Sequence, residues 1–349
     1  MKGFVSSRLH PLLALLLLVG LMLAAVCLGY FFMLLAGVAF FGVRSMQEFE
    51  ALLRNPQLSP HGWSMMMLSQ VLLLFVGFAG AALALASIQG RSWASYFAPR
   101  RPVPAWWLLL AAAIIVLSLP AMSGLIAWNA NAQFPAFMHE FEVWARDKET
   151  QAQDLTQYLT QFTSTGRLLV GLLVIAVVPA ISEELVFRGV VQKQITRLFG
   201  SYHAGVWLAA FLFSAIHMQF FGFVPRLVLG VVLGYLFAWS GNILVPMAAH
   251  FAQNAVQILL LYAQQRGTLS ATLDPDSTQA LPWPWMLLSA VLTLGLLRLA
   301  YQKFGYTGAP VVSHTLTGAG VLVGGSVPPT GHTLTSHGVE PAPQPQAPL

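Results

Sequence analysis

Residues 168–191 read LLVGLLVIAVVPAISEELVFRGVV. A bilayer crossing takes roughly 20 mostly apolar residues, and this run is long enough. It nevertheless contains Glu183, Glu184 and Arg188. An ionisable side chain at the centre of a membrane helix costs at least about 2.5–3.5 kcal/mol, so such groups face the bundle interior and are functional by default. This stretch therefore reads as one helix of a membrane bundle, with a polar face turned inward.

The remainder of the chain fits that setting. Of 349 residues, 57% are hydrophobic and 8% charged, and the mean hydropathy is +0.69. Soluble domains average about 25% charged residues. Apolar runs over 11–42, 63–88, 105–128, 168–191, 204–221, 223–240, 242–263 and 283–304 predict an all-α, polytopic membrane helix bundle of about eight transmembrane helices. The fifth and sixth runs are short and closely joined, which suits a helical hairpin or a re-entrant segment. The expected organisation is a three-helix membrane region over 1–128, an amphipathic loop over 129–167, a membrane core over 168–304 and a tail over 305–349.

The 17 Lys and Arg are scattered between apolar runs, which excludes a nucleic-acid partner despite the net charge of +5. One cysteine, Cys27, excludes an internal disulfide and a cysteine-based metal site. The first apolar run outlasts the h-region of a signal peptide, so it reads as a retained helix. Lys2, Arg8, Arg91, Arg100, Arg101, Lys193, Arg197, Arg298 and Lys303 fall on one side of an eight-span alternation. By the positive-inside rule that side, with both termini, is cytoplasmic.

The outward loop then carries Phe137, Phe141 and Trp144, followed by Leu155, Leu159 and Phe162, each set spaced i, i+4, i+7. That is the stripe of an amphipathic helix covering the bundle or gating it. The tail is rich in Gly, Pro, Ser and Thr and reads as disordered, with His314, His332 and His337 too weakly organised for a metal site.

Helix geometry separates the two glutamates. Glu184 and Arg188 are i, i+4, the better orientation for an ion pair. Glu183 projects about 100° away and has no partner on its own helix. His217, and His250 with Asn254 one turn later, are the polar candidates from other spans. A carboxylate and an imidazole can take a proton from water, and an imidazole and an amide can stabilise an oxyanion. The set suits amide hydrolysis. Pro179 and Pro246 each lie four residues before a candidate, Glu183 and His250, and predict kinks beside the site. Arg226 is expected to snorkel to headgroups.

Glu183-Glu-Leu-Val-Phe-Arg188, Phe213-Ser-Ala-Ile-His217 and His250-Phe-Ala-Gln-Asn254 fit EExxxR, FxxxH and HxxxN in order. They resemble the CPBP family of intramembrane proteases, which includes type II CAAX prenyl endopeptidases and bacteriocin-processing or immunity proteins. The resemblance implies that Glu183 is the general base working with His217, that His250 and Asn254 stabilise the oxyanion, and that Arg188 with Glu184 holds the motif helix. It leaves two mechanisms open: a metal-free glutamate one, and one with a divalent metal such as zinc on Glu183, His217 and His250. The partners it implies are a peptide or membrane-protein substrate and the lipid bilayer, and the location a bacterial inner membrane. A proton-coupled transporter and a non-catalytic immunity or scaffold protein are the rival readings. The sequence shows no clear internal inverted repeat or paired broken helices of a transporter, and a scaffold need not keep Glu183, His217, His250 and Asn254 together.

Overall fold

The computed structural model describes residues 9–98, 102–268 and 278–305. The chain divides into a unit over Met1–Val311 and a second over Val312–Leu349. The tail, with its three histidines, lies outside the described residues, as do Lys2, Arg8, Arg100 and Arg101.

Among the described residues the first unit is built of helices. They are α1 (Pro11–Phe40), α2 (Met46–Arg54), α3 (Gly62–Ile88), α4 (Trp93–Phe97), α5 (Ala105–Ala130), α6 (His139–Leu159), α7 (Thr165–Phe199), α8 (Tyr202–Ala215), α9 (Phe223–Ser240), α10 (Leu244–Gln265) and α11 (Trp283–Phe304). Seven of these are long and apolar enough to cross a membrane, and α8 is a shorter apolar helix of the same character. The eight apolar runs of the sequence thus each become a helix, and the protein is an integral membrane protein. Local chemistry sets the boundaries. Ser45 Oγ accepts from the Glu48 N–H at 3.1 Å to start α2, and Ser164 and Ser201 cap α7 and α8 in the same way. Gly200 and Gly241 end α7 and α9 at φ +65° and +63°, where a Cβ is disfavoured.

The motif helix α7 is the hub. Of its most apolar 18-residue window, 61% is buried, against 17% for α1 and α11, which turn their large apolar side chains outward. That contrast is what a bilayer around the bundle requires. Two π-helical stretches, Leu172–Val177 and Phe187–Gln192, flank the α-helical turn that bears the glutamates. Such bulges inside α-helices concentrate at functional sites. On the facing α9, Gly230 and Gly234 are one turn apart. A Cβ on Gly230 would meet Ala210 at 3.0 Å, and one on Gly234 would meet Val206 at 2.9 Å. Small residues at that spacing let helices approach closely.

The outer helix α6 packs by its aromatic side on the turn between α8 and α9. Phe141 and Trp144 lie 4.9 and 5.8 Å from the ring of Phe220, and Leu159 and Phe162 are buried. The predicted stripe is incomplete, because Phe137 is 86% exposed and Leu155 is also exposed. Phe137 belongs to a short 3-10 turn ahead of α6 and so leaves the helical register.

Candidate active site

Three helices and one turn supply the candidate residues. α7 contributes Glu183, Glu184 and Arg188, the end of α8 and the turn beyond it contribute Phe213 and His217, and α10 contributes His250 and Asn254. Glu183, Glu184, Arg188, Phe213 and His250 are buried. His217 and Asn254 are half-buried.

The i, i+4 pair forms as its spacing predicts. Arg188 Nη1 donates to Glu184 Oε1 at 2.8 Å, and Nη2 donates to the Gly230 carbonyl at 3.0 Å. One turn on, Gln192 Nε2 donates to the Gly234 carbonyl at 3.0 Å. Two side chains one turn apart on α7 thereby grip two carbonyls one turn apart on α9. The Gly-x-x-x-Gly spacing at 230–234 was the available sequence signal for this contact.

Glu184 does more than neutralise Arg188. Its Oε1 also lies 2.9 Å from His250 Nδ1. An ionised carboxylate can only accept, so the Nδ1 carries the proton. The other ring nitrogen, Nε2, faces Glu183 Oε2 at 3.9 Å. His250 therefore stands between the two glutamates, oriented by one and presented to the other. A carboxylate behind an imidazole fixes its tautomer and direction.

His217 lies just past the end of α8. Its Nδ1 is 2.7 Å from the Phe213 carbonyl. A carbonyl only accepts, so Nδ1–H donates and Nε2 keeps a free lone pair. The Phe213 ring links the motifs: its centroid is 5.2 Å from that of His217, 6.0 Å from that of His250, and 4.8 Å from the Arg188 guanidinium. Simple spacing along an outward-running helix would put His217 too far out. At 1.5 Å per residue, the 14-residue α8 rises only about 21 Å. The helix ends early and the histidine stays near Phe213.

The turn after His217 is held under strain. Met218 has φ +55°, the sole non-glycine residue at positive φ among those described, a conformation that persists where its surroundings impose it. Ser214 Oγ donates to the Phe223 carbonyl at 2.6 Å. Asn129 at the end of α5 donates to the Phe220 carbonyl at 3.1 Å and accepts from the Val224 N–H at 2.7 Å. Nothing in the sequence pattern singled out Asn129 or Met218.

Two expectations need correction. Arg226 does not reach for headgroups. Its Nη2 donates to Gln219 Oε1 at 2.7 Å, back into the turn that precedes α9. Pro246 does not kink α10. It is the third residue of that helix, where the N–H has no intrahelical acceptor in any case. Asn254 Nδ2 donates to the Ile175 carbonyl on α7 at 3.2 Å, and an amide NH2 has a second hydrogen to donate.

Among the described residues no three His, Cys, Asp or Glu side chains are gathered as closely as a metal site requires. The Nδ1 atoms of both histidines are bonded to protein acceptors, which leaves each Nε2 as the nitrogen that could act on water or hold a metal.

The membrane helix bundle thus gathers a carboxylate, two imidazoles and a buried ion pair on three neighbouring helices and one turn. Residues 165–256 match the family model described as Type II CAAX prenyl endopeptidase Rce1-like. That segment carries the three motifs and is similar to the CAAX-protease family over those residues. A Bacillus subtilis protein described as "Uncharacterized protein YpbD" is 36% identical over 81 residues, 22% of this chain and 38% of that protein. The chain thus spans well under half of that relative's length. No solved structure matches the chain.

Proposed function

We propose that the protein is an endopeptidase that hydrolyses a peptide bond inside the bundle, in the manner of CAAX proteases, with a water activated by Glu183. The observation that supports this most directly is the linear arrangement Glu184–His250–Glu183, with contacts of 2.9 and 3.9 Å, beside a second imidazole whose Nε2 is free to accept. Glu183 takes a proton from the attacking water as its oxygen bonds the scissile carbonyl carbon. His217 Nε2 is the second acceptor, orienting that water. His250 stabilises the oxyanion as an imidazolium, with Nδ1–H donating to Glu184 and Nε2–H donating to the oxyanion. Protonated Glu183 then delivers its proton to the leaving amine, the carbon–nitrogen bond breaks, and the carboxylate is regenerated. Arg188 and Glu184 hold His250 and the helix in place and touch no substrate.

The substrate in this reading is a peptide or a membrane protein entering from the lipid bilayer, and the setting is a bacterial inner membrane with both termini inside. The test uses purified full-length protein in lipid vesicles with a peptide library, comparing wild type with Glu183→Gln and His217→Ala. Removing a general base costs about 10²–10⁴-fold in rate, and Glu183→Gln should fall in that range while staying folded. Full turnover by Glu183→Gln would sink the assignment. Turnover lost on metal stripping and restored by zinc would move the water onto a metal held by Glu183, His217 and His250. A Glu183-dependent proton flux without cleavage would make the protein a transporter.

A further inference from the structure

We infer that Arg226 is a specificity-determining residue, the receptor for a carboxylate carried by the substrate. The inference rests on the hydrolytic reading above, and its geometry comes from the packing of α7 on α9. Arg188 reaches the Gly230 carbonyl and Gln192 the Gly234 carbonyl, and the partners of both bonds are 42 residues apart. The two helices therefore run in the same direction in a fixed register. One turn further back, that register sets Arg226 opposite Glu184 and next to the level of Glu183. Arg226, Gly230 and Gly234 are spaced i, i+4, i+8 and lie along the α7-facing side of α9. Helical side chains lean toward the N-terminus of their helix, and that of Arg226 does so: a Cβ on Gly222 would lie 2.9 Å from its Nη2. The guanidinium thus stands beyond the glutamates, on the side of the turn that carries His217.

A cation in that place calls for an anion. Arg226 is half-buried in a membrane-spanning helix, where an ionisable group is functional by default. Among the described residues no carboxylate lies within salt-bridge distance of it. Both of its hydrogen bonds go to one neutral residue: Nη2 donates to Gln219 Oε1 at 2.7 Å, and Nη1 to the Gln219 carbonyl at 3.5 Å. A guanidinium has further N–H donors beyond these, and they have no protein acceptor among the described residues. Glu149 on α6 connects to the arginine through Gln219, whose Nε2 donates to Glu149 Oε1 at 3.5 Å. Burial holds the Glu149 carboxyl above the usual carboxylate range, against the charge of Arg226. Glu149 is therefore a poor counterion. A substrate carboxylate can take the open side of the guanidinium in the forked, two-bond geometry such pairs favour, while Gln219 holds the arginine toward the His217 turn.

The carboxylate has two sources, the C-terminus of the substrate or an acidic side chain, and the test separates them. It uses peptide pools of the same sequences ending in the free carboxylate or in the amide, each made with acidic side chains and with Asn and Gln in their place. Competitive cleavage by the full-length protein in lipid vesicles gives relative kcat/KM. Retention on Glu183→Gln protein, with and without Arg226→Gln, gives binding apart from turnover. Wild type should prefer a carboxylate: a preference lost on amidation identifies the terminal group, and one lost with Asn and Gln identifies a side chain. Arg226→Gln should lower kcat/KM for the preferred peptides by about ten- to a hundredfold and change that for their uncharged counterparts by less than about threefold. Should Arg226→Gln fail to fold, Arg226→Lys keeps the charge without the fork and should still weaken the preference; an unchanged preference overturns the proposal. Glu149→Gln should retain the wild-type preference. Equal losses for Arg226→Gln and Glu149→Gln on every peptide would mean that the arginine only balances Glu149, and that result, or a wild type indifferent to carboxylates, would overturn the proposal. If Glu183→Gln retains full turnover, the hydrolytic reading fails while the retention ratios still decide the role of Arg226.

Discussion

At the scale of single residues, the double glutamate resolves into two carboxylates with different surroundings. Glu184 accepts from both Arg188 and His250 through one oxygen, whereas Glu183 meets only the far side of the same imidazole. Arg188 is 1% exposed and Glu184 fully buried, so each charge depends on the other. Removing one partner of a buried pair strands the other and costs about 3–5 kcal/mol. Arg188→Ala should therefore lower unfolding stability in detergent by about that amount. Arg188→Lys should recover little of it, because an ammonium cannot reproduce the fork that reaches Glu184 and Gly230 together. A thermal midpoint for Arg188→Ala equal to wild type would show that the pair contributes nothing net. The i, i+4 spacing made this pair legible in the sequence. The bond from Glu184 to His250 was not legible, because it joins positions 66 apart in the chain, and only packing of α7 on α10 brings them together.

At the scale of elements, hydropathy located every membrane helix but not the features that aim the site. Runs of apolar residues carry length and approximate ends, which is why α3, α5, α7, α9, α10 and α11 appear where the sequence puts them. The π stretches in α7, the early end of α8 and the strained Met218 depend on neighbouring helices and leave no periodic trace. The α7–α8 contact shows this. Gly205 on α8 faces α7 so closely that a Cβ there would lie 2.8 Å from the Gln192 carbonyl and 2.0 Å from Thr196 Oγ1. Thr196 can rotate, but the backbone carbonyl cannot move without its helix, and Gln192 also ties α7 to α9. Overpacking of this kind costs about 1–3 kcal/mol. Gly205→Ala should reduce stability within that range, while Gly20→Ala, whose Cβ would meet nothing within 4 Å, should leave the thermal midpoint unchanged. Equal midpoints for the two variants would mean that α7 and α8 have slack the structure does not show.

At the scale of the whole molecule, the orientation of the bundle and the status of α8 can be decided by one experiment. α8 rises about 21 Å against a hydrocarbon core of about 30 Å, so length alone would not make it a crossing. The packing argues that it nonetheless carries the chain across. The turn after it is bonded to Asn129 at the end of α5 and covered by α6, whose Trp144 and Phe141 stack on Phe220. The end of α5, α6 and the turn therefore share one side. Between α6 and the end of α11 the chain then crosses five times, through α7, α8, α9, α10 and α11, which leaves the two on opposite faces. By the positive-inside rule, the distribution of Lys and Arg predicts that the α11 end is the cytoplasmic one. Cys27 is the one native cysteine, so Cys27→Ala gives a background for single cysteines at the exposed positions Gln153 on α6 and Gln302 on α11. In intact cells a membrane-impermeant maleimide should label Gln153→Cys, and should reach Gln302→Cys only after permeabilisation. The reverse pattern would invert the bundle while preserving five crossings. Labelling of both positions from outside would remove one crossing, and α8, the shortest of the apolar helices, would then be a re-entrant segment that brings His217 back to the face it entered from.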